Sequence, residues 1–196
     1  DAQRRRAWDR HQFREVAGTT WLIVGLGTIG QAVATRAGAF GARVVGCRRS
    51  PTGAEGVDAL VTPADLHGAL ATADVVVLSL PSTAESPPLV DAAFLDAMAE
   101  GSVLVNIARG SLIDEAALVT ALDRGRPEAA LLDVMVTEPL PTESPLWSHP
   151  RVVLTPHNSA GGFDRYRRYD DLLVDNLARY VQGEPLRNEI TLATLS

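Results

Sequence analysis

Six residues, Gly25-Leu26-Gly27-Thr28-Ile29-Gly30, follow directly on the apolar run 21–24 and open a stretch of small and apolar residues that reads as a helix over 29–40. A strand turning through G-x-G-x-x-G into a helix is the fingerprint of a dinucleotide-binding βα unit. The chain has 16 glycines, so the motif alone is weak; its place between strand and helix gives it weight. Each glycine has a task in such a unit. Gly25 permits the tight turn, Gly27 lets the backbone approach a pyrophosphate, and Gly30 lets the helix pack closely on the strand. The helix N-terminus then offers N–H groups and a positive dipole end to phosphate. The plain alternative is a glycine-rich turn with a structural role only.

The pattern repeats along the chain. Short apolar runs at 21–25, 43–47, 74–80, 102–106, 129–133 and 152–155 read as strands. Helical stretches at 29–40, 63–70, 91–99, 114–124 and 163–182 separate or follow them, with Thr62 as a helix cap and Pro63 at the first helical position. Alternation of this kind implies right-handed crossovers and a mostly parallel sheet. Runs that are apolar throughout suit strands covered on both faces. The expected fold is therefore α/β, a doubly wound, Rossmann-like parallel sheet of six strands. The domain reading is a polar linker helix at 1–18, a dinucleotide-binding domain at 19–162, and a crossing helix with its tail at 163–196. A proline-rich loop spans 139–150.

Composition removes other classes. No apolar stretch approaches the ~18 residues of a membrane span, and no secretory core opens the chain. Cys47 is the single cysteine. That excludes an internal disulfide and a cysteine-built zinc site, leaves no metal site expected, and makes the cytoplasm the default compartment. All 18 basic residues are arginine, so Schiff-base chemistry and a Walker-type lysine are absent. A net charge of −6 argues against nucleic acid as a partner. The run Arg4-Arg5-Arg6 reads as a solvated helix face. The chain begins at Asp1 rather than methionine, and the reading is a processed or truncated chain.

The second strand ends in Cys47-Arg48-Arg49-Ser50. An NAD site places an acid there for the ribose hydroxyls, whereas two guanidiniums and a hydroxyl suit a 2′-phosphate. NADP is the expected cofactor. NAD stays possible if Arg48 and Arg49 are solvated and the site tolerates both.

Three further segments place polar residues beyond strand C-termini, where open α/β sheets bind ligands. They bring Arg109, then Asp133 and Glu138, then His157 to the cofactor crevice. Reduction of a 2-oxo acid needs a cation for the carboxylate and the carbonyl oxygen, and an acid to protonate that oxygen. Arg109 suits the first task and His157 the second, with Glu138 to orient the imidazole and favour its charged form. Singly, each residue also reads as an ordinary surface or capping group.

The segments GLGTIG (25–30), LSLPSTAES (78–86), VNIARGSLIDEAAL (105–118), LLDVMVTEPLP (131–141) and LTPHNSAG (154–161) together resemble the D-isomer-specific 2-hydroxyacid dehydrogenases, over about 18–190. The resemblance implies that Arg109, Glu138 and His157 are catalytic and that Asp133 contacts the nicotinamide carboxamide. It implies further cofactor contacts from Thr28, Ile29, Leu80, Pro81, Ser86, Ile107 and Ala108. Family members that use NAD carry aspartate at the position of Arg48, so this chain looks like the NADP-using glyoxylate/hydroxypyruvate reductase branch. The implied substrate is a small 2-oxo or 2-hydroxy acid, and the implied assembly a homodimer through the nucleotide-binding domain. Such proteins carry a substrate domain that is largely absent here, so the chain resembles the cofactor half. The family also includes dinucleotide-sensing co-repressors, which leaves a regulatory module as the alternative.

Overall fold

The computed structural model describes residues 3–8, 10, 12–49, 56–82 and 87–189. Ser50 and Ser86 lie outside the described residues. The chain divides into two units, Asp1–His157 and Asn158–Ser196.

The first unit is a seven-stranded sheet: β1 (Thr20–Val24), β2 (Arg43–Cys47), β3 (Ala59–Val61), β4 (Val75–Leu78), β5 (Val103–Asn106), β6 (Ala129–Leu132) and β7 (Val152–Leu154). All pairings are parallel, in the order β3-β2-β1-β4-β5-β6-β7. The chain runs outward from β1 to β3, then returns to place β4 on the other side of β1. That reversal opens a crevice at the C-terminal ends of β1 and β4, where doubly wound sheets take their ligands.

Helices α1 (Thr28–Ala39), α2 (Leu66–Leu70), α3 (Ala92–Ala97) and α4 (Glu115–Asp123) cover the sheet. On one face Leu22, Leu78 and Leu104 pack with Phe94, Leu95, Leu118 and Leu122, all buried. On the other, Ile23, Val44 and Val77 meet Ala34 and Ala37 of α1. Gly30, Ala34 and Ala37 form the buried stripe of α1, and such small residues let the helix lie close to β1. Helix starts follow capping chemistry. Asp114 accepts the N–H groups of Ala116 and Ala117, both at 3.0 Å, and Asp91 accepts that of Phe94 at 2.9 Å.

The structure departs from the sequence reading in several places. The sheet has seven strands rather than six, because β3 is a three-residue edge strand too short to stand out by its apolar run. Ser79 and Leu80 lie beyond the end of β4. Residues 63–65 form a 3-10 turn ahead of α2, and the Thr62 hydroxyl donates to the Asp65 carboxylate at 2.9 Å rather than capping a helix N–H. The helix expected at 1–18 is absent among the described residues there, which form turns and irregular chain. Trp8 and Phe13 are 90% and 80% exposed, so no packed apolar face supports a helix, and a short polar segment cannot hold one alone in water.

The second unit is α5 (Arg165–Gln182), closed by Gly183 at φ 70°, with a tail folded back along the helix. Asn176 bonds Arg187 through both ends of its amide, and Asp175 takes hydrogen bonds from Arg179 and Arg187. These bonds, that of Arg179 first, hold the Asp175 carboxyl below its usual range. Tyr166, Tyr169, Leu173, Leu177 and Tyr180 are exposed along the helix. Among the described residues no helix is long and apolar enough to cross a membrane, and no cluster of three His, Cys, Asp or Glu residues could hold a metal.

Candidate active site

At the end of β1, Gly25 takes φ +99°, a conformation open to glycine and strained for other residues. Its N–H donates to the Cys47 carbonyl at 2.9 Å, tying the loop to β2. A Cβ at Gly25 would stand 2.7 Å from the Leu80 nitrogen, and one at Gly30 would collide with the Gly25 carbonyl oxygen. Gly27 differs: a Cβ there would meet nothing within 4 Å. Gly27 caps α1 with no side-chain hydrogen bond, and the first turn of Thr28, Ile29 and Gly30 holds no acidic residue. Bare N–H groups beside open space fit a pyrophosphate.

Arg48 continues from β2, half-buried, its N–H donating to the Val61 carbonyl at 3.2 Å; Arg49 next to it is exposed. Cys47 is buried and free. Burial pushes its thiol pKa up, with a further push from Asp65, so the thiol stays protonated and chemically quiet.

A cavity of about 230 Å3 lies between these strand ends, lined among others by Ile29, Leu80, Pro81, Ile107, Ala108 and Arg109. Three segments far apart in sequence are thereby brought to one place. A larger cavity of about 500 Å3 includes Trp21, Val75, Val103 and Ala129 in its lining. Those residues lie at the opposite, N-terminal ends of the strands, away from the glycine loop.

At the end of β5 the fully buried Asn106 organises the turn that follows. Its Oδ1 accepts the Ala108 N–H at 3.0 Å and its Nδ2 donates to the Arg109 carbonyl at 2.9 Å. Arg109 is exposed, with its guanidinium donating to the Ala108 carbonyl at 2.7 Å. Gly110 lies so close to the chain after β6 that a Cβ would overlap the Met135 carbonyl carbon and oxygen.

Asp133, 5% exposed, accepts the Thr155 hydroxyl at 2.5 Å, and its N–H donates to the Asn106 carbonyl at 3.0 Å. Its own carbonyl receives the His157 N–H at 2.7 Å. Those bonds hold His157 at φ 49°, in the left-handed region that residues other than glycine adopt uncommonly. Glu138 bridges the segments: Oε1 accepts the Met135 N–H at 3.0 Å, and Oε2 lies 2.6 Å from His157 Nδ1. The bond with His157, then that from Met135, keeps the Glu138 carboxyl below its usual pKa. The Glu115 carboxylate accepts the Val136 N–H at 2.8 Å and pins the same loop from α4. In the 139–150 loop, Trp147 is exposed and its indole N–H donates to the Pro141 carbonyl at 2.9 Å, anchoring the loop on itself.

Sequence reasoning missed Asn106, Gly110 and Thr155 as site-shaping residues. The available signal was a single polar residue closing an otherwise apolar strand, as at Asn106 and Thr155. For Gly110 there was none, since the backbone it approaches is 25 residues away in sequence.

Comparison with known proteins adds a second line of evidence. The profile of the D-isomer specific 2-hydroxyacid dehydrogenase NAD binding domain matches residues 1–159. The chain is 36% identical over 171 residues to a glyoxylate/hydroxypyruvate reductase A of Salmonella newport, covering 87% of this chain and 54% of that protein. It is similar to a solved D-isomer specific 2-hydroxyacid dehydrogenase family protein of Aeromonas salmonicida, with 38% identity, a TM-score of 0.87, and coverage of 97% of this chain and 61% of that one. It is also similar to an NADPH-dependent glyoxylate/hydroxypyruvate reductase of Sinorhizobium meliloti in complex with NADP and sulfate. That match has 30% identity and a TM-score of 0.86 over 98% of this chain and 62% of that one. The chain thus spans about half the length of the curated relatives it matches.

Proposed function

The chain belongs to the D-isomer specific 2-hydroxyacid dehydrogenase family, and from that premise we propose that it is the cofactor-binding part of an NADP-preferring reductase of small 2-oxo acids such as glyoxylate or hydroxypyruvate. The observation that carries this reading is the 2.6 Å pairing of Glu138 with His157, set beyond the same sheet edge as the glycine loop and Arg109.

Gly25, Gly27, Thr28, Ile29 and Gly30 hold the pyrophosphate, and Arg48 and Arg49 take a 2′-phosphate, with Ser50 assigned to the same group. Ile107, Ala108, Leu80 and Pro81 line the nicotinamide side, with Ser86 assigned there from sequence, and Asp133 takes the carboxamide. Bound there, the cofactor supplies a hydride to the substrate carbonyl carbon.

The chain's own residues deal with charge and proton. Arg109 binds the substrate carboxylate and stabilises the carbonyl oxygen as it gains negative charge. Glu138, ionised because its pKa is lowered, can only accept hydrogen bonds, so His157 Nδ1 carries the proton between them. Nε2 is then the atom that delivers a proton to the oxygen in reduction and takes it back in oxidation. Arg109 and His157 are both solvent-exposed in this chain, and water weakens such interactions. Full turnover is therefore assigned to a protein that carries a substrate domain as well. A cytoplasmic homodimer formed through the nucleotide-binding domain completes the reading.

The test is NADPH oxidation with glyoxylate and with hydroxypyruvate, run on this chain and on a gene product carrying it with a substrate domain. The expected result is tight NADPH binding by both and fast turnover by the longer protein alone. A longer protein that binds NADPH and reduces neither acid would defeat the reductase assignment.

A further inference from the structure

We infer that Asn106 is a positioning residue that sets the aim of Arg109; the inference rests on the reading of Arg109 as the substrate-binding cation. Asn106 is the last residue of β5 and is fully buried. A primary amide in an apolar interior is costly unless both its ends are bonded. Here both are bonded, to groups that bracket Arg109. The acceptor end takes the Ala108 N–H at 3.0 Å and the donor end reaches the Arg109 carbonyl at 2.9 Å. A backbone N–H can only donate and a carbonyl can only accept, so one orientation of the amide satisfies the pair.

The amide closes a ring over residues 106–109 and fixes the 107–108 and 109–110 peptide groups, the second of which adjoins the Arg109 Cα. Arg109 itself is extended, at φ −146° and ψ 142°, and enters a 3-10 turn at Gly110–Leu112. On its far side Gly110 is pressed against the Met135 carbonyl, where no Cβ fits. The base of the Arg109 side chain is therefore clamped from two directions. The backbone carbonyl of Asn106 also receives the Asp133 N–H at 3.0 Å, so one residue ties the turn bearing Arg109 to the strand end bearing Asp133. An exposed arginine has many rotamers, and its direction is only as reproducible as the backbone beneath it. An error of about 1 Å in placing a reacting group costs on the order of a hundredfold in rate.

The experiment is steady-state glyoxylate reduction by the longer gene product carrying Asn106→Ala, beside Arg109→Gln and the parent. Asn106→Ala is expected to raise the glyoxylate KM by about tenfold or more, with a smaller rise in NADPH Kd, because Ile107 and Ala108 of the same turn line the nicotinamide side while the glycine loop is built on β1. Loss of folded protein alone would lower kcat with KM unchanged, whereas a mis-aimed Arg109 raises KM as well as lowering kcat. A glyoxylate KM unchanged in Asn106→Ala but raised in Arg109→Gln would overturn the positioning role and spare the reading of Arg109. A KM unchanged in both would overturn the reading of Arg109 and the inference with it. Should Asn106→Ala fail to fold, Asn106→Asp keeps the acceptor for Ala108 and loses the donor to Arg109. The same split of KM against Kd then decides the matter.

Discussion

At the β1–α1 end of the crevice, Gly25, Gly27 and Gly30 act through the side chains they lack. At the β5–β7 end, Asn106, Asp133, Glu138, Thr155 and His157 act through side chains bonded to one another and to backbone. The first end is a surface of bare N–H groups over open space, suited to a ligand whose charge is fixed and spread over several oxygens. The second is a set of directed bonds, suited to one proton delivered at one atom. Binding and chemistry thus make different demands on sequence. The first needs a motif contiguous in the chain, and the second needs residues from three strands held in register.

The sharpest way to separate the ends is His157→Ala in the longer gene product. Loss of a general acid is expected to lower kcat by roughly 10²–10⁴-fold and to leave the NADPH Kd nearly unchanged. Equal losses in both would show that the two ends do not act independently.

The converse change is Gly30→Ala. Its new methyl group would meet backbone that cannot swing aside, so the expected cost is about 3 kcal/mol of stability, the upper part of the overpacking range. Gly27→Ala, into open space, is expected to leave the melting temperature almost untouched while weakening NADPH. Thermal melts with and without NADPH check both; equal destabilisation by the two would contradict the open cradle at Gly27.

Arg48→Asp tests the phosphate end more gently. Charge-assisted bonds contribute about 1.5–3 kcal/mol, so NADPH affinity should fall roughly tenfold to a hundredfold, with NADH gaining on it. Fluorescence titration of both cofactors reads the ratio. An unchanged ratio would remove Arg48 from cofactor choice.

The smallest effect is expected from Glu138→Gln. A neutral acceptor is about 1 kcal/mol weaker than a charged one, so reduction at neutral pH should drop roughly fivefold. The pH dependence is more telling. The lowered Glu138 pKa means that its carboxylate persists as pH falls, and its hold on His157 is lost only as pH drops through that lowered value. The parent should therefore keep this contribution to pH values below the ordinary carboxylate range, about 4.3, and Glu138→Gln should lack this acid-side step. Rate profiles of identical shape in the two proteins would take Glu138 out of its role.

The contrast between the ends also explains what could be read from sequence. The glycine loop, the alternation of strands and helices, and the placing of Arg109, Glu138 and His157 past strand ends were legible because each is local: a hexapeptide, a periodicity, or a charged residue just past an apolar run. β3 was not, because three apolar residues become a strand only beside β2. The helix read over 1–18 is not found among the described residues there, because a polar, arginine-rich composition suits a helix that nothing in the described fold supports. Gly110 stayed hidden because its importance lies in Met135, a contact set by the sheet and not by spacing along the chain; Asn106 showed only as a polar residue closing an apolar strand, with nothing to say that its amide would be buried.

The lone thiol gives the molecule a clock. Cys47 is buried at the end of β2, its pKa raised, and its carbonyl is the group that holds Gly25 in the glycine loop. A disulfide reagent in solution can reach that sulfur only when the junction of β1 and β2 opens, so its rate of modification counts local openings rather than intrinsic reactivity. A dinucleotide seated on Gly25–Gly30 would have to leave, or loosen, before the clock could tick. The slowing of thiol modification by added cofactor then measures occupancy without any assay of turnover.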